Sequence, residues 1–354
     1  MKITSLDVTP VRVPSPFRYG DIESVAGVVV KLQTDQGVDG LGHAITLSDR
    51  HFRSLVAATE EIGELIVGED PRDPERIHRK MVPDTAGGIT NVAAAGLDVG
   101  VWDLGGKIAA QPLYRMLGGY RDRIPAYASL RLGRGVDTPD LPEIASSLVE
   151  QGFTAVKTNL GGRPTVAEDI ARMKVIREAI GPHVRLLADV NFRWTPSMAI
   201  RMGRTLDDVR LFWLEDPVPT HNVQGLCEVR RSQAAQIAAG EALYSLPAFR
   251  ELFEARALDV PMPDLLRVGG ITPFVKIAHM AEAFGLPVAN HLLPEISAQV
   301  VAAVPNGLIV EYVPWAWQLF QGCPTLESGE LVMSERPGHG MELDEDFVKH
   351  HRVE

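Results

Sequence analysis

The stretch from Arg185 to Glu241 decides the fold and reads RLLADVNFRWTPSMAIRMGRTLDDVRLFWLEDPVPTHNVQGLCEVRRSQAAQIAAGE. Three short apolar runs within it, at 185–190, 211–214 and 236–240, are separated by two segments of helical length. Short apolar strands that alternate with helices are typical of βα units in a parallel sheet. An acidic residue stands at the end of each run, and these residues are Asp189, Glu215 and Glu241.

The same alternation extends from Ile124 to Val310. Further strands are predicted at residues 126–130, 154–158, 258–262, 287–290 and 308–310. Repeated βα units in this number favour a closed parallel barrel. A doubly wound open sheet is the alternative that periodicity alone leaves open, although no Gly-x-Gly-x-x-Gly motif follows the early strands of this region.

A different pattern precedes this region. Residues 2–13, 24–34 and 38–43 alternate between polar and apolar side chains and predict a small antiparallel meander. The segment 14–23 contains prolines and other turn formers, so we expect an exposed loop there. Helical patterning from about residue 50 to residue 118 completes an α+β unit.

Composition narrows the class of protein. The chain is 45% hydrophobic and 23% charged, which is typical of a soluble globular enzyme. With 35 basic and 46 acidic residues its net charge is -11, so it lacks the basic surface that nucleic acid binding requires. No apolar run reaches the roughly 20 residues that span a bilayer, and no secretory signal is visible. The two cysteines form no metal-type pair, and together these features predict a cytoplasmic protein.

The three strand-end carboxylates predict a metal site. All strands of a parallel barrel point their carboxyl ends toward one face, so Asp189, Glu215 and Glu241 should converge there. Three anions repel one another unless a cation neutralises them, and an all-oxygen ligand set suits one Mg²⁺ per subunit. Any one of these residues alone would equally fit a solvated carboxylate or a helix N-cap.

Two further strand ends predict a general base. Asp264 and His291 end adjacent strands, and a carboxylate that bonds one imidazole nitrogen raises the basicity of the other. A structural role is the alternative for a lone histidine. Lys157 emerges from an apolar strand toward the same face, where we expect a site lysine rather than a side chain that merely reaches solvent.

These motifs resemble the enolase superfamily, mandelate racemase subgroup, over essentially the whole chain. They stand in the family's order, as Val-Lys157-Thr-Asn159, Asp189-Val-Asn191, Trp-Leu-Glu215-Asp-Pro, Gly-Glu241, Pro-Asp264, Asn-His291-Leu and Ile-Val-Glu311. The resemblance implies an α/β fold, a modified (β/α)7β TIM barrel at residues 123–324. It also implies an N-terminal α+β capping domain at 1–122 and a C-terminal segment at 325–354 that returns to the cap.

The resemblance further implies a shared first step, in which the proton α to the carboxylate of a small-molecule substrate is removed to give a Mg²⁺-stabilised enediolate. The matching positions are Asp189, Glu215 and Glu241 for the metal ligands, Asp264 and His291 for the base, Glu311 for the acid that hydrogen-bonds the substrate carboxylate, and Lys157 for the first lysine of a Lys-x-Lys motif.

The sequence departs from the racemase pattern at Asn159, where such an enzyme carries its second lysine. An amide cannot accept a proton at neutral pH, so His291 is left as the evident base. This favours dehydration of an aldonate or aldarate to a 2-keto-3-deoxy acid. The alternatives are a racemase, epimerase or lactone cycloisomerase with the same enediolate chemistry and, more remotely, a non-catalytic metal-stabilised binding scaffold.

Substrate contacts are expected from four further residues. Asn159 and Asn191 suit substrate hydroxyl groups because an amide both donates and accepts hydrogen bonds. Arg18 and Tyr19 lie in the predicted cap loop, where Arg18 either pairs with a distal carboxylate, as in a diacid, or is solvated. The resemblance also implies a homo-oligomer, from dimer to octamer.

Overall fold

The computed structural model describes residues 1–19, 22–46, 49–83, 87–163 and 165–353, without the side chains of residues 17–19 and 49. Its strands are β1 Ile3–Tyr19, β2 Ile22–Thr34, β3 Asp39–Thr46, β4 Arg123–Leu132, β5 Ala155–Asn159, β6 Arg185–Asp189, β7 Leu211–Glu215, β8 Gln236–Ala239, β9 Val260–Pro261, β10 Val288–Ala289, β11 Gly307–Tyr312, β12 Phe320–Gln321, β13 Thr325–Glu327, β14 Glu330–Val332 and β15 Glu342–Leu343.

The first four α-helices lie between β3 and β4, and most of the others alternate with the strands of the second part of the chain. They are α1 Phe52–Glu64, α2 Pro74–Met81, α3 Ile89–Ala109, α4 Leu113–Met116, α5 Leu141–Glu150, α6 Val166–Ile180, α7 Pro196–Thr205, α8 Val223–Arg231, α9 Leu246–Glu254, α10 Leu265–Val268, α11 Ile271–Ala283, α12 Pro294–Ala303 and α13 Glu345–His351. Short 3-10 helices lie at Asp49–His51, Thr138–Asp140, Asp207–Val209 and Trp317–Leu319.

The first part of the chain is an antiparallel sheet, in the order β1-β2-β3, with helices packed on it. The long helix α3 lies against β3, and this contact depends on small residues. A Cβ atom on Gly42 would lie 2.0 Å from the carbonyl oxygen of Gly96, so only glycine allows the two backbones to approach this closely. The predicted N-terminal cap of antiparallel strands and helices is therefore present.

The expected loop at residues 14–23 is wrong for the backbone of residues 14–19 and 22–23, which lie in strands, while residues 20 and 21 lie outside the described residues. Strand β1 continues to Tyr19, and the two strands pair again at Tyr19 and Ile22 after a register shift that begins at Pro14. The prolines are compatible with this strand because β1 is at the edge of the sheet, where a missing N–H removes no ladder bond on the open side. The register shift accommodates the remaining irregularity.

The second part of the chain is a nearly closed ring of eight parallel strands, in the order β10-β11-β4-β5-β6-β7-β8-β9. The two ends of this row meet beyond β9 and β10 through a single parallel bridge between Asp264 and His291. The backbone N–H of His291 donates to the carbonyl oxygen of Pro263 across the same gap, at 3.2 Å. The predicted parallel barrel is confirmed, and the open-sheet alternative is excluded.

A separate apolar cluster fills the barrel. Its fully buried members come one from each of several strands, and they include Leu187, Trp213 and Ile309. Because side chains alternate between the two faces of a strand, the residue two positions further on also faces inward. The inward positions that follow these three are Asp189, Glu215 and Glu311, which places charged groups at the carboxyl end of the barrel.

The C-terminal segment contacts both parts of the molecule. Strand β14 pairs antiparallel with the start of β4 in the barrel, while Arg352 forms a bridge with Val11 in the cap. The domain boundaries at residues 122/123 and 324/325 stay predictions. Within the described ranges, none of the helices combines the length and the hydropathy that a bilayer-spanning segment needs.

Candidate active site

Three of the predicted site residues lie side by side at the ends of neighbouring strands. Asn159 pairs in register with Asp189, and Asp189 pairs in register with Glu215. Glu241 follows the end of β8, the next strand of the ring. Asp189, Glu215 and Glu241 are buried, each with 6% exposure or less. Because the strands are parallel, the predicted carboxylates at their carboxyl ends lie on one face of the barrel.

Burial and mutual repulsion act on these carboxylates together. Burial raises the pKa of Glu215, and although the ammonium of Lys157 opposes this, the neighbouring Asp189, Glu311 and Glu241 keep the pKa raised. Burial raises the pKa of Asp189 in the same way, with Lys157 again opposing and Glu241 adding to the rise. Burial and the neighbouring carboxylates therefore together disfavour the ionised forms of Asp189 and Glu215.

Lys157 lies at the centre of this charge. Its Nζ atom is 2.6 Å from Oε1 of Glu215 and 2.8 Å from Oε1 of Glu311, and 3.9 Å from Oδ2 of Asp189. Burial alone would lower the pKa of the ammonium, but the carboxylates raise it well above its usual value. Lys157 is therefore a fixed cation in this arrangement and not a proton acceptor.

Asp264 and His291 form the predicted pair. Nδ1 of His291 is 2.6 Å from Oδ2 of Asp264, while the other carboxylate oxygen accepts hydrogen bonds from the backbone N–H groups of Leu266 and Arg267. Burial would raise the pKa of Asp264, but the hydrogen bond from His291 and the charge of Arg267 lower it. The carboxylate is thus held ionised and fixes the orientation of the imidazole.

The second ring nitrogen of His291 faces a predicted metal ligand, because Nε2 is 3.2 Å from Oε2 of Glu241. Burial alone would lower the pKa of His291, whereas Glu241, Asp264 and Glu311 together raise it to about 9. The carboxylate of Glu241 thus favours the protonated imidazole. A cation bound to Glu241 would weaken this effect and favour the neutral base.

Both carboxylate oxygens of Glu311 accept hydrogen bonds. Its Oε1 accepts from the hydroxyl of Ser129 at 2.8 Å as well as from Lys157, and its Oε2 accepts from the backbone N–H of Leu292 at 2.8 Å. Burial would raise the pKa of Glu311, but Lys157 and His291 lower it. The residue that the resemblance assigns as an acid is therefore an ionised carboxylate while Lys157 stays beside it.

The two amides predicted to contact substrate direct donors toward Asp189. Nδ2 of Asn191 donates to Oδ2 of Asp189 at 2.7 Å, and Nδ2 of Asn159 is 3.3 Å from the same oxygen. The two amides also contact each other, with Nδ2 of Asn159 donating to Oδ1 of Asn191 at 3.2 Å. They are therefore coupled to a predicted metal ligand, and their role as substrate contacts stays a prediction.

Sequence reasoning missed several residues that touch the site. Arg134 follows β4, and its Nη1 donates to Oδ1 of Asn191 at 2.6 Å. Arg267 donates through Nη1 to the backbone carbonyl of Glu241 at 2.8 Å. The rule that strand ends carry site residues, applied to β4 as well, would have found Arg134. Contacts of Arg267 depend on a turn whose path the sequence pattern does not show.

The cap covers the carboxyl end of the barrel and leaves a cavity of about 350 Å³. Aliphatic residues from both parts line it, together with Asp264 and Arg267, and they are Ile45, Ile89, Val92, Leu266 and Leu292. This volume is within the range of small-molecule sites. The side chains of Arg18 and Tyr19 lie outside the described residues, so their predicted contact with substrate stays a prediction.

A larger cavity, of about 740 Å³, lies at the opposite end of the barrel beside Gln236, Leu258 and Leu286. It is lined by none of the predicted site residues. Because catalytic groups of parallel barrels lie at the carboxyl ends of the strands, the smaller cavity lies on the side of the candidate active site, and Asp264 is the predicted site residue that lines it.

The carboxylates suit Mg²⁺ by their chemistry, although they are not yet arranged as ligands. Oε2 of Glu241 is buried without a hydrogen-bond partner, and Glu215 and Asp189 are buried beside it with raised pKa values. In the described part of the chain, no three His, Cys, Asp or Glu side chains already form a metal-binding arrangement. Lys157 contacts Glu215 and lies 3.9 Å from Asp189, and His291 contacts Glu241, so ligation would need these side chains to reorient.

Comparisons with known proteins place this site in a family. Residues 2–118 match the model of the mandelate racemase / muconate lactonizing enzyme N-terminal domain, and residues 140–347 match the enolase C-terminal domain-like model. The chain is 31% identical to L-talarate/galactarate dehydratase of Salmonella typhimurium, over 93% of this chain and 83% of that protein.

The name of another relative indicates a different reaction. The chain is 30% identical to 3,6-anhydro-alpha-L-galactonate cycloisomerase of Streptomyces coelicolor, over 94% of both proteins. The crystal structure of L-talarate dehydratase from Polaromonas sp. JS666, complexed with Mg and L-glucarate, matches 100% of this chain and 98% of that chain, with 30% identity and a TM-score of 0.93. The chain therefore belongs to the enolase superfamily, in the mandelate racemase subgroup.

Proposed function

We propose that this chain is a Mg²⁺-dependent dehydratase that converts an aldonate or aldarate to a 2-keto-3-deoxy acid. The observation that carries the proposal is the composition of the face across the ring from His291. Strands β5 and β6 are three and four positions beyond β10 along the ring. Asn159 stands at the end of β5, and Asn191 follows the end of β6. Neither amide accepts a proton, so the described residues support removal of the α-proton from one face only.

The proposed metal ligands are Asp189, Glu215 and Glu241. When bound, Mg²⁺ supplies the positive charge that stabilises the enediolate form of the substrate. The cluster of buried carboxylates with raised pKa values supports this assignment, as does Oε2 of Glu241, which accepts no hydrogen bond although Nε2 of His291 lies 3.2 Å away. The magnesium in the related talarate dehydratase structure supports it as well.

His291 is the proposed general base, with Asp264 as the residue that orients it. Nε2 takes the proton from C2 of the substrate, and the electron pair of that C–H bond enters the enediolate. The C3–O bond then breaks, and the imidazolium returns its proton to the departing hydroxyl group, which leaves as water. The resulting enol becomes the 2-keto-3-deoxy acid.

Glu311 and Lys157 are proposed to bind the substrate carboxylate. Lys157 is the only cation that both Glu215 and Glu311 contact among the described residues. A substrate carboxylate that takes over this cation removes the main charge that lowers the pKa of Glu311. With burial then the main influence on its pKa, Glu311 takes up a proton from solvent, and as a neutral acid it donates a hydrogen bond to the same carboxylate.

An isomerase is the second candidate function. The cycloisomerase relative, which matches 94% of this chain at 30% identity, favours it. Such an enzyme would use the same base and the same metal but would not expel water. A cytoplasmic homo-oligomer with a small carboxylate as its partner completes the proposal.

The test is a screen of mono- and diacid sugars with the purified protein and Mg²⁺, in which 2-keto acids are detected as semicarbazones. We expect keto acid from one stereochemical group of substrates, and we expect none after the metal is removed with EDTA. His291→Asn is the matched control, because it removes the base while it leaves the carboxylates in place. Deuterium at C2 in D₂O without any keto acid would contradict dehydration and support the isomerase.

A further inference from the structure

Arg134 joins three elements at the rim of the candidate active site. It lies in the turn after β4, and its Nε and Nη2 atoms donate to the carbonyl oxygen of Leu160 at 3.1 and 2.6 Å. Nη2 also donates to the carbonyl oxygen of Val190 at 3.2 Å. These carbonyls immediately follow β5 and β6, so one guanidinium fixes the spacing of the two strand ends that carry the amide pair.

Another contact of the guanidinium reaches a side chain. Nη1 of Arg134 donates to Oδ1 of Asn191 at 2.6 Å. An amide group has one oxygen and one nitrogen, so this bond determines that Nδ2 of Asn191 points the other way. Nδ2 donates to Oδ2 of Asp189 at 2.7 Å, and the backbone N–H of Asn191 donates to Oδ1 of Asp189, also at 2.7 Å. Asn191 therefore holds both oxygens of Asp189.

The backbone conformation of Asn191 also directs its donors toward Asp189. Its φ of 47° is in the left-handed region, which asparagine tolerates better than most residues. In this conformation the backbone N–H and the side chain of Asn191 both reach the carboxylate two residues earlier. A different side chain would lose one donor to Asp189 and the acceptor for Arg134.

We propose that Arg134 is a positioning residue that acts through Asn191 to fix the orientation of Asp189 for Mg²⁺. The inference rests on the proposed function, because that proposal assigns Asp189 as a ligand. Partners of metal ligands are typically worth about 10- to 100-fold in metal affinity. The same guanidinium gives the amide face a permanent positive charge, and arginine does not release a proton in proteins. That face therefore has a fixed cation where a second lysine would be a titratable one.

The test is Mg²⁺ binding to the metal-free full-length protein, measured by calorimetry without substrate. We compare Arg134→Met, Arg134→Lys, Asn191→Gly and the double variant Arg134→Met/Asn191→Gly. Glycine adopts a positive φ without strain, so Asn191→Gly removes the side chain and keeps the turn. We expect about tenfold weaker binding in each single variant. Because Arg134 acts through Asn191, the double variant should be no weaker than Asn191→Gly alone.

Whether the Arg134 variants bind Mg²⁺ more weakly or more tightly distinguishes a positioning role from a purely electrostatic one. Loss of a nearby cation should strengthen Mg²⁺ binding if Arg134 acts only by its charge, and Arg134→Lys should then resemble the unmodified protein. Tighter binding in Arg134→Met would therefore overturn the inference. Weaker binding in both Arg134→Met and Arg134→Lys would support it, because a lysine cannot bond two carbonyls and an amide with one planar fork.

Arg163→Met is the matched structural control. Arg163 also donates to a backbone carbonyl of this rim, that of Val136 at 2.5 Å, and the described contacts include none between it and Asn191. We expect its Mg²⁺ affinity to be unchanged. Equal losses in Arg163→Met and Arg134→Met would overturn the inference in favour of general loosening of the rim.

Asp189→Asn separates the failure of this inference from that of the proposed function. If the unmodified protein shows no saturable Mg²⁺ binding, or if Asp189→Asn binds Mg²⁺ as the unmodified protein does, the proposed metal site fails and the inference fails with it. If Asp189→Asn loses binding while Arg134→Met and Asn191→Gly keep it, the inference alone is wrong.

Discussion

Asp264 and His291 are paired twice. Their backbones form the single parallel bridge where the two ends of the strand row meet, and their side chains meet through Oδ2 and Nδ1 at 2.6 Å. The contact that closes the barrel is thus also the contact that would activate the base. The position of the imidazole consequently depends on the closure of the ring and not on a mobile loop.

Loss of the base should remove the first step of the reaction. We expect His291→Asn to lower the rate of α-proton exchange by several orders of magnitude, since the proposed mechanism has no other base. The measurement is proton NMR of the substrate in D₂O, with circular dichroism to show that the variant is folded. Substantial exchange in His291→Asn would show that another residue removes the proton.

Asn159→Lys should change the type of reaction. A lysine at this position would provide a basic group that can release and accept a proton, on the face where Asn159 and Asn191 now stand beside the permanently charged Arg134, three strands along the ring from His291. We expect deuterium to enter C2 with inversion of configuration, detected by chiral chromatography of the recovered acid. Asn159→Leu is the control for the loss of the amide, and inversion in that variant would contradict the account.

Lys157→Met should destabilise the metal-free protein. The substitution keeps an apolar stem but leaves the buried Glu215 and Glu311 without their cation. Loss of one partner from a buried ion pair costs about 3–5 kcal/mol of unfolding free energy. Urea unfolding in EDTA measures this loss, and we expect saturating Mg²⁺ to restore part of it. A change below about 1 kcal/mol, the usual value of an exposed pair, would contradict the central position of Lys157.

In the metal-free protein, the candidate site should contribute less to stability as pH rises from about 5 to 9. Asp189 and Glu215 have pKa values that are raised in the folded state, so the folded protein binds more protons than the unfolded chain above the usual carboxylate pKa. The pKa of His291 is also raised, to about 9, and its contribution is complete below its usual pKa of 6.5 and is lost as pH rises through 9.

The two carboxylates and His291 all contribute less stability as pH rises, and bound Mg²⁺ should reduce this loss. The lowered pKa values of Asp264 and Glu311 matter only at more acidic pH, where their contribution to stability is lost as pH falls. The measurement is the thermal unfolding midpoint at pH 5.5 and 8.5, with EDTA and with Mg²⁺. Glu215→Gln should flatten the dependence in EDTA. A midpoint in EDTA that rises with pH would contradict the charge balance of the site.

Much of the fold and the site follows from local sequence patterns. Parallel strands have a fixed direction, so a polar residue at the end of an apolar run predicts a position at one face, as it does for Asp189 and His291. The two-residue period also predicts that Glu215 faces the same way as Trp213 inside the barrel. These relationships need no knowledge of the long-range contacts.

Other features depend on contacts that a local pattern does not contain. The prolines of residues 14–23 indicate a loop, and only the edge position of β1 allows the strand to continue through them. The contacts of Arg134 and Arg267 depend on side chains that reach across neighbouring strand ends. The ionised state of Glu311 depends on Lys157, which is more than one hundred residues away in the chain.

Dehydration is tested most directly by following the C2 proton and the C3 hydroxyl group of the substrate in one experiment. The best substrate from the acid-sugar screen is incubated in D₂O with the Mg²⁺-loaded protein and followed by proton NMR. We expect 2-keto-3-deoxy acid to accumulate while the remaining substrate keeps its configuration at C2. Deuterium at C2 of an inverted or cyclised product, without loss of water, would contradict dehydration.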